Sequence, residues 1–80
     1  MTIPLGRIFV DAYGKTPMTY LTTVRAEHLA RLLRETDLSI EAAMREVGWR
    51  SRGHAARMFR HAVGVTPTRY RLMIRQRAAA

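Results

Sequence analysis

Arg7-Ile-Phe9-Val-Asp-Ala12-Tyr-Gly14-Lys-Thr16-Pro17-Met-Thr-Tyr20 returns fifty residues later as Arg57-Met-Phe59-Arg-His-Ala62-Val-Gly64-Val-Thr66-Pro67-Thr-Arg-Tyr70, with seven identities in register. So dense a match in a chain of 80 residues marks a duplicated structural unit. Phe and Ala close the buried face of a helix, Gly ends that helix in a left-handed cap, and Thr-Pro opens the next as N-cap and first helical residue. Each copy therefore reads as helix, tight turn, helix. The second copy is preceded by what a helix-turn-helix requires, whereas the first begins a few residues after Met1.

Outward from the repeat, apolar spacing divides the chain into five helical segments and predicts an all-α fold. Leu5, Ile8, Phe9 and Ala12 recur at i, i+3, i+4 and i+7, which predicts a helix over residues 4 to 13 ended by Gly14. A long helix opens at Thr16-Pro17, with Tyr20, Leu21, Val24, Leu29, Leu32 and Leu33 expected on its buried face, and fades near Glu35-Thr36-Asp37. Ser39 caps a two-turn helix carrying Ile40, Ala43, Met44 and Val47, and Gly48 stops it. Trp49 and Arg50 make the turn, with Trp49 expected in the core. Ser51 caps a fourth helix whose expected buried stripe is Ala55, Met58, Phe59, Ala62 and Val63, ended by Gly64. The last helix starts at Pro67 and is expected to bury Tyr70, Met73 and Ile74. The expectation is one helical domain over residues 1–80. Residues 1–14 are a remnant of a first helix-turn-helix, 16–36 a linker helix, 38–75 a complete second helix-turn-helix and 76–80 a frayed tail.

Charge singles out the second half. The net charge is +8, yet residues 1 to 46 hold six Lys or Arg against six acids, and residues 47 to 80 hold eight Arg and no acid. Arginine's planar fork suits phosphate oxygens and guanine edges better than the lysine point charge does. A solubilising surface is the plain alternative, but one-sided charge favours a polyanionic partner.

That charge falls on the helix-turn-helix, whose second helix enters the major groove by its first turns. On the side opposite Ala55 and Phe59, Arg52, Gly53, His54 and Arg57 are the expected base-contacting residues, with Arg52 and Arg57 each able to grip a guanine by two hydrogen bonds. Arg50, Ser51, Arg60, Thr66 and Arg71 are the expected phosphate contacts.

Leu38-Ser39-Ile40, Val47-Gly48-Trp49, Arg57-x-Phe59, Gly64-x-Thr66-Pro67 and Tyr70-Arg71 resemble the second helix-turn-helix of AraC/XylS-type transcription regulators. Leu5-x-Arg7-x-Phe9 through Gly14-x-Thr16-Pro17-x-x-Tyr20-Leu21 resembles the end of that family's first helix-turn-helix, and the helix from Pro17 to Glu35 resembles the linker between the two. The resemblance covers nearly the whole chain in order and spacing. It implies a DNA-binding domain acting on promoters beside RNA polymerase, here without the two leading helices of the first unit, so that only the second unit reads bases. Several positions depart from the family pattern: Met44 where a small residue is usual, Ala43 where a larger aliphatic is, Ala55 where a bulky apolar residue is common, and Gly53 where a serine often sits. Ala55 is expected either to leave a cavity or to be filled by Met44. Ala26 and Leu29 show a similar exchange of small for large, compensated at i, i+3.

Other chemistries find no support. The chain has no cysteine, which excludes disulfides and thiolate metal sites. No stretch approaches the apolar length that spans a membrane, and the expected setting is soluble, cytoplasmic and nucleoid-associated. His54 and His61 lie seven residues apart, too far along a helix to share a metal, and His28 stands alone on the linker. No catalytic constellation or cofactor motif is present, so no enzyme, cofactor or metal is expected. The reading is a sequence-specific DNA-binding transcription regulator that inserts a recognition helix over residues 52–62 into the major groove of double-stranded DNA. The alternative is a non-enzymatic interaction protein that uses the same fold to bind polymerase or another regulator. Residues 1–13 are expected either to dock near Leu21 and Val24 or to mediate a homodimer.

Overall fold

The computed structural model describes Gly14 and residues 16–79. The helix expected over residues 4–13, and the docking or dimer role assigned to residues 1–13, lie outside them. Four of the five expected segments fall inside, and all four are helices: α1 (Pro17–Glu35), α2 (Ile40–Glu46), α3 (Arg52–Val63) and α4 (Pro67–Ala79).

Each helix starts where a hydroxyl can take up an orphan amide. Thr16, Ser39, Ser51 and Thr66 accept from the backbone N–H of Thr19, Ala42, His54 and Arg69 at 3.2, 3.1, 3.3 and 3.2 Å. Proline follows the cap in α1 and α4, where its missing N–H costs nothing. The three glycines read as helix stops, Gly14, Gly48 and Gly64, have φ of 72°, 94° and 100°. α1 ends at Thr36, whose N–H and hydroxyl both donate to the Leu32 carbonyl, at 3.0 and 2.6 Å.

The core is one cluster. α1 gives Ala26, Leu29, Ala30 and Leu33, an i, i+3, i+4, i+7 stripe; Ala43 and Met44 come from α2, Val47 and Trp49 from the turn, and Ala55 and Phe59 from α3. Both small-for-large exchanges therefore meet in the same interior, where Ala55 is sealed together with Met44. Trp49 is buried as expected. Several expected core residues are not. Tyr20, Leu21 and Val24 are exposed, because the buried stripe of α1 runs through the alanines at 26 and 30, whose small size lets the facing helices approach, and not through the larger residues of its first turns. Ala62 and Val63 sit exposed in the last turn of α3, and Met73 is exposed on α4, where the expected Tyr70 does pack against the core and Pro67 is buried. Among the described residues, no helix is long and apolar enough to cross a membrane.

Gly48 and Gly53 make opposite predictions for stability. A Cβ on Gly48 would sit in the left-handed region, 3.4 Å from Arg25 Nη2, so Gly48→Ala should cost about 1–2 kcal/mol in backbone strain. A Cβ on Gly53 would meet only Arg57 Nη1, at an ordinary 3.8 Å, inside a helix where alanine is favoured over glycine by up to about 1 kcal/mol. Thermal melting should show the first variant falling and the second rising, and equal shifts would contradict the cap geometry.

Candidate nucleic-acid interface

The turn between α2 and α3 is held by the way it caps the end of α2. Gly48 N–H donates to the Arg45 carbonyl at 3.0 Å and Trp49 N–H to the Met44 carbonyl at 2.9 Å, the paired bonds of a Schellman cap. The apolar residue that such a cap places just beyond it is Trp49, which locks the turn into the core. Ser51 then starts α3 with its hydroxyl hydrogen still free to be donated outward. Ala55 and Phe59 face inward, so the opposite side of α3 is open along its length.

The expected site residues do not all share that side. Arg57 is exposed near its centre, with its guanidinium leaning back over Gly53 toward the helix start. Arg60 is exposed one turn on, and Arg50 is exposed in the turn. Arg52 lies on the α2 side, where its Nη1 meets Glu41 Oε1 at 2.6 Å, a pair that spacing in sequence gives no means of finding. His54 lies on the α1 side. With His61 and Met58 it lines a shallow cleft against Met18, Thr19 and Thr22 of α1. Thr66 is half-buried as the cap of α4.

Arg71, an expected phosphate contact, is only 8% exposed, and its guanidinium donates to the carbonyls of Leu38, of Thr36 at 3.2 Å and, more weakly, of Leu33 at 3.5 Å. Its donors fill the carbonyls left unpaired where α1 ends and the loop to α2 begins. The sequence reading passed over three other exposed arginines, Arg69, Arg75 and Arg77 on α4. Residues 47–79 contain no acid, so the charge asymmetry was the signal that could have found them. On the linker helix, by contrast, Arg31 Nε binds Glu35 Oε2 at 2.8 Å, a hydrogen bond and charge contact that raise the Arg31 pKa further.

Comparison with known proteins agrees with this fold. The family profile described as "Helix-turn-helix domain" matches residues 4–73. An HTH-type transcriptional regulator of Haemophilus influenzae is 35% identical over 65 residues, covering 81% of this chain and 22% of that protein. The MmsAB operon regulatory protein of Pseudomonas aeruginosa is 29% identical over 72 residues, covering 85% of this chain and 24% of that protein. The chain thus spans about a quarter or less of the curated relatives it matches. Among solved structures, the DNA-binding domain of the global transcriptional factor AdpA, in complex with a target DNA, superposes with a TM-score of 0.86 at 32% identity, covering 90% of this chain and 65% of that one. A protein of unknown function from Listeria innocua gives a TM-score of 0.81 at 26% identity, covering 86% and 66%.

Proposed function

The chain belongs to the AraC-type helix-turn-helix family, matched over residues 4–73, and from that premise we propose that it regulates transcription by laying α3 in the major groove of double-stranded DNA. The observation that carries this is the open side of α3, where Arg57 and Arg60 stand exposed beside Arg50 in a stretch without a single acid. Arg57 reads a base pair. Arg52 and His54 flank it on the α2 and α1 sides, and Gly53, with no side chain, lets base edges approach the helix. Arg50, Ser51, Arg60 and the capped start of α4 at Thr66 meet phosphates, which fixes the register of the head on the duplex. Arg71 has no part in that set. RNA polymerase at the promoter belongs to the same proposal, as does a second copy bound through residues 1–13.

Titrating random duplex at several salt concentrations tests the reading. A single head with two cationic phosphate contacts, Arg50 and Arg60, should bind with a dissociation constant of about 10⁻⁴ to 10⁻⁶ M near physiological salt, and the log-log salt slope should be about −2. On a site selected from a random library, Arg57→Ala should relax preference at one base pair and cost about 1–3 kcal/mol. Arg60→Ala should weaken all sequences alike and flatten the slope by about one. Arg31→Ala, whose charge Glu35 already offsets, should do neither. A folded protein that ignores duplex at low salt would turn the assignment to the interaction-protein alternative.

A further inference from the structure

We propose that Glu41 is a specificity-determining residue of the reading head, a carboxylate that holds Arg52 away from phosphate and presents it to a base. The inference rests on the DNA-binding function proposed above. Two exposed ion pairs occur among the described residues: Arg31–Glu35 lies within the linker helix, and Arg52–Glu41 joins the two helices of the reading head.

Both partners stand on fixed supports. Glu41 is in the first turn of α2, where the helix dipole favours a carboxylate and Ser39 caps the end. Arg52 is the first residue of α3, directly after the Ser51 cap. The Schellman turn fixes one helix start against the other, so the 2.6 Å contact from Nη1 to Oε1 sets where the guanidinium sits at the end of α3 that meets base edges. Arg45 and Arg50 line the same shallow groove beside Glu41 and Arg52, so the carboxylate lies in a strongly cationic setting.

The consequence for recognition follows from what the pair keeps and what it loses. A lone arginine at this place binds any phosphate within reach, which adds affinity but no information. Paired with Glu41, Arg52 has almost no net charge to offer a phosphate, and the neighbouring carboxylate repels one. Its donors remain. Nε and Nη2 still form an edge of N–H groups, and guanine O6 and N7 are neutral acceptors that the carboxylate does not repel. Glu41 therefore weakens the sequence-independent contribution of Arg52 while leaving its base reading intact, so that specificity is gained by penalising the wrong partner.

The test compares the affinity of a selected site with that of random duplex in wild type, Glu41→Gln, Glu41→Asp, Arg52→Gln and the double variant Glu41→Gln/Arg52→Gln. Glu41→Gln should tighten random-duplex binding, steepen its salt slope by about one and lower the selected-to-random ratio several-fold. Glu41→Asp keeps the charge but draws the carboxylate back, and it should lower the ratio as well. In the Arg52→Gln background the glutamine substitution should leave the ratio unchanged, since the cycle isolates the coupling between the two side chains. Melting temperatures should stay close to wild type, because exposed ion pairs add little to stability. An equal effect of Glu41→Gln in both backgrounds, or a full ratio in Glu41→Asp, would overturn the proposal by reducing Glu41 to general surface charge. Wild type that binds with normal salt dependence but shows no coupling defeats this inference alone. Folded wild type that binds no duplex at low salt defeats it together with the function on which it rests.

Discussion

Phe59→Ala should lower stability by about 3–5 kcal/mol, the range for an aromatic residue removed from a packed interior. Phe59 is fully buried and is the largest such side chain in the described structure. Its ring also meets Tyr70 edge to face, with centroids 5.6 Å apart and planes at 74°, so it joins α3 to α4 as well as to the shared core. The alanines of the shared core, Ala26, Ala43 and Ala55, have no longer side chain to extend into the space. A domain of this size loses about 4–8 °C of melting temperature per kcal/mol, so the transition should fall by well over ten degrees. Phe59→Leu, which keeps most of the volume and gives up the aromatic contact, should lose much less. Thermal melting by circular dichroism reads both. A melting point within a few degrees of wild type in the alanine variant would show that α3 is not held by this ring.

Much of this architecture was legible because local chemistry determines it. Caps are written in two or three adjacent residues, and Thr16-Pro17, Ser39, Ser51, Gly48, Gly64 and Thr66-Pro67 all fell where the helices begin and end. The family signature spanned the same residues and fixed the order of the units. On α1 the expected Leu29 and Leu33 are buried and Leu32 packs against the core, but the expected face failed in the first turns. Large apolar residues draw attention in a sequence, but close helix contact selects alanine, and Ala26 and Ala30 lie inside while Tyr20, Leu21 and Val24 remain outside. Relations between helices were hidden altogether. Nothing in a linear reading pairs Glu41 with Arg52, eleven residues on, or Arg71 with Thr36 and Leu38. These contacts exist only once the helices are packed. They decide which arginines are engaged within the fold, so the charge of the second half was readable while its division was not.

Arg71→Ala should cost about 1–3 kcal/mol, because two part-buried carbonyls, those of Thr36 and Leu38, lose a charged donor. The effect reaches the reading head through geometry. Residues 36 to 38 link α1 to α2, and Arg71 on α4 ties that link down, while Arg34 Nη1 binds the neighbouring Tyr70 hydroxyl at 2.7 Å and fastens α1 to α4 from the other side. Arg71→Lys separates this role from the phosphate contact that sequence suggests. A lysine keeps the positive charge, but its compact ammonium cannot span carbonyls that the planar fork of arginine reaches together. If Arg71 acts as a brace, the lysine variant should melt well below wild type, at least part of the way to alanine. The salt slope of DNA binding, taken at a temperature where the variant is folded, should stay at the wild-type value. A surface phosphate contact would behave the other way round: lysine would melt normally, and alanine would flatten the slope by about one without loss of stability. That second pattern would return Arg71 to the DNA interface and remove the brace from the account of how α2 is held.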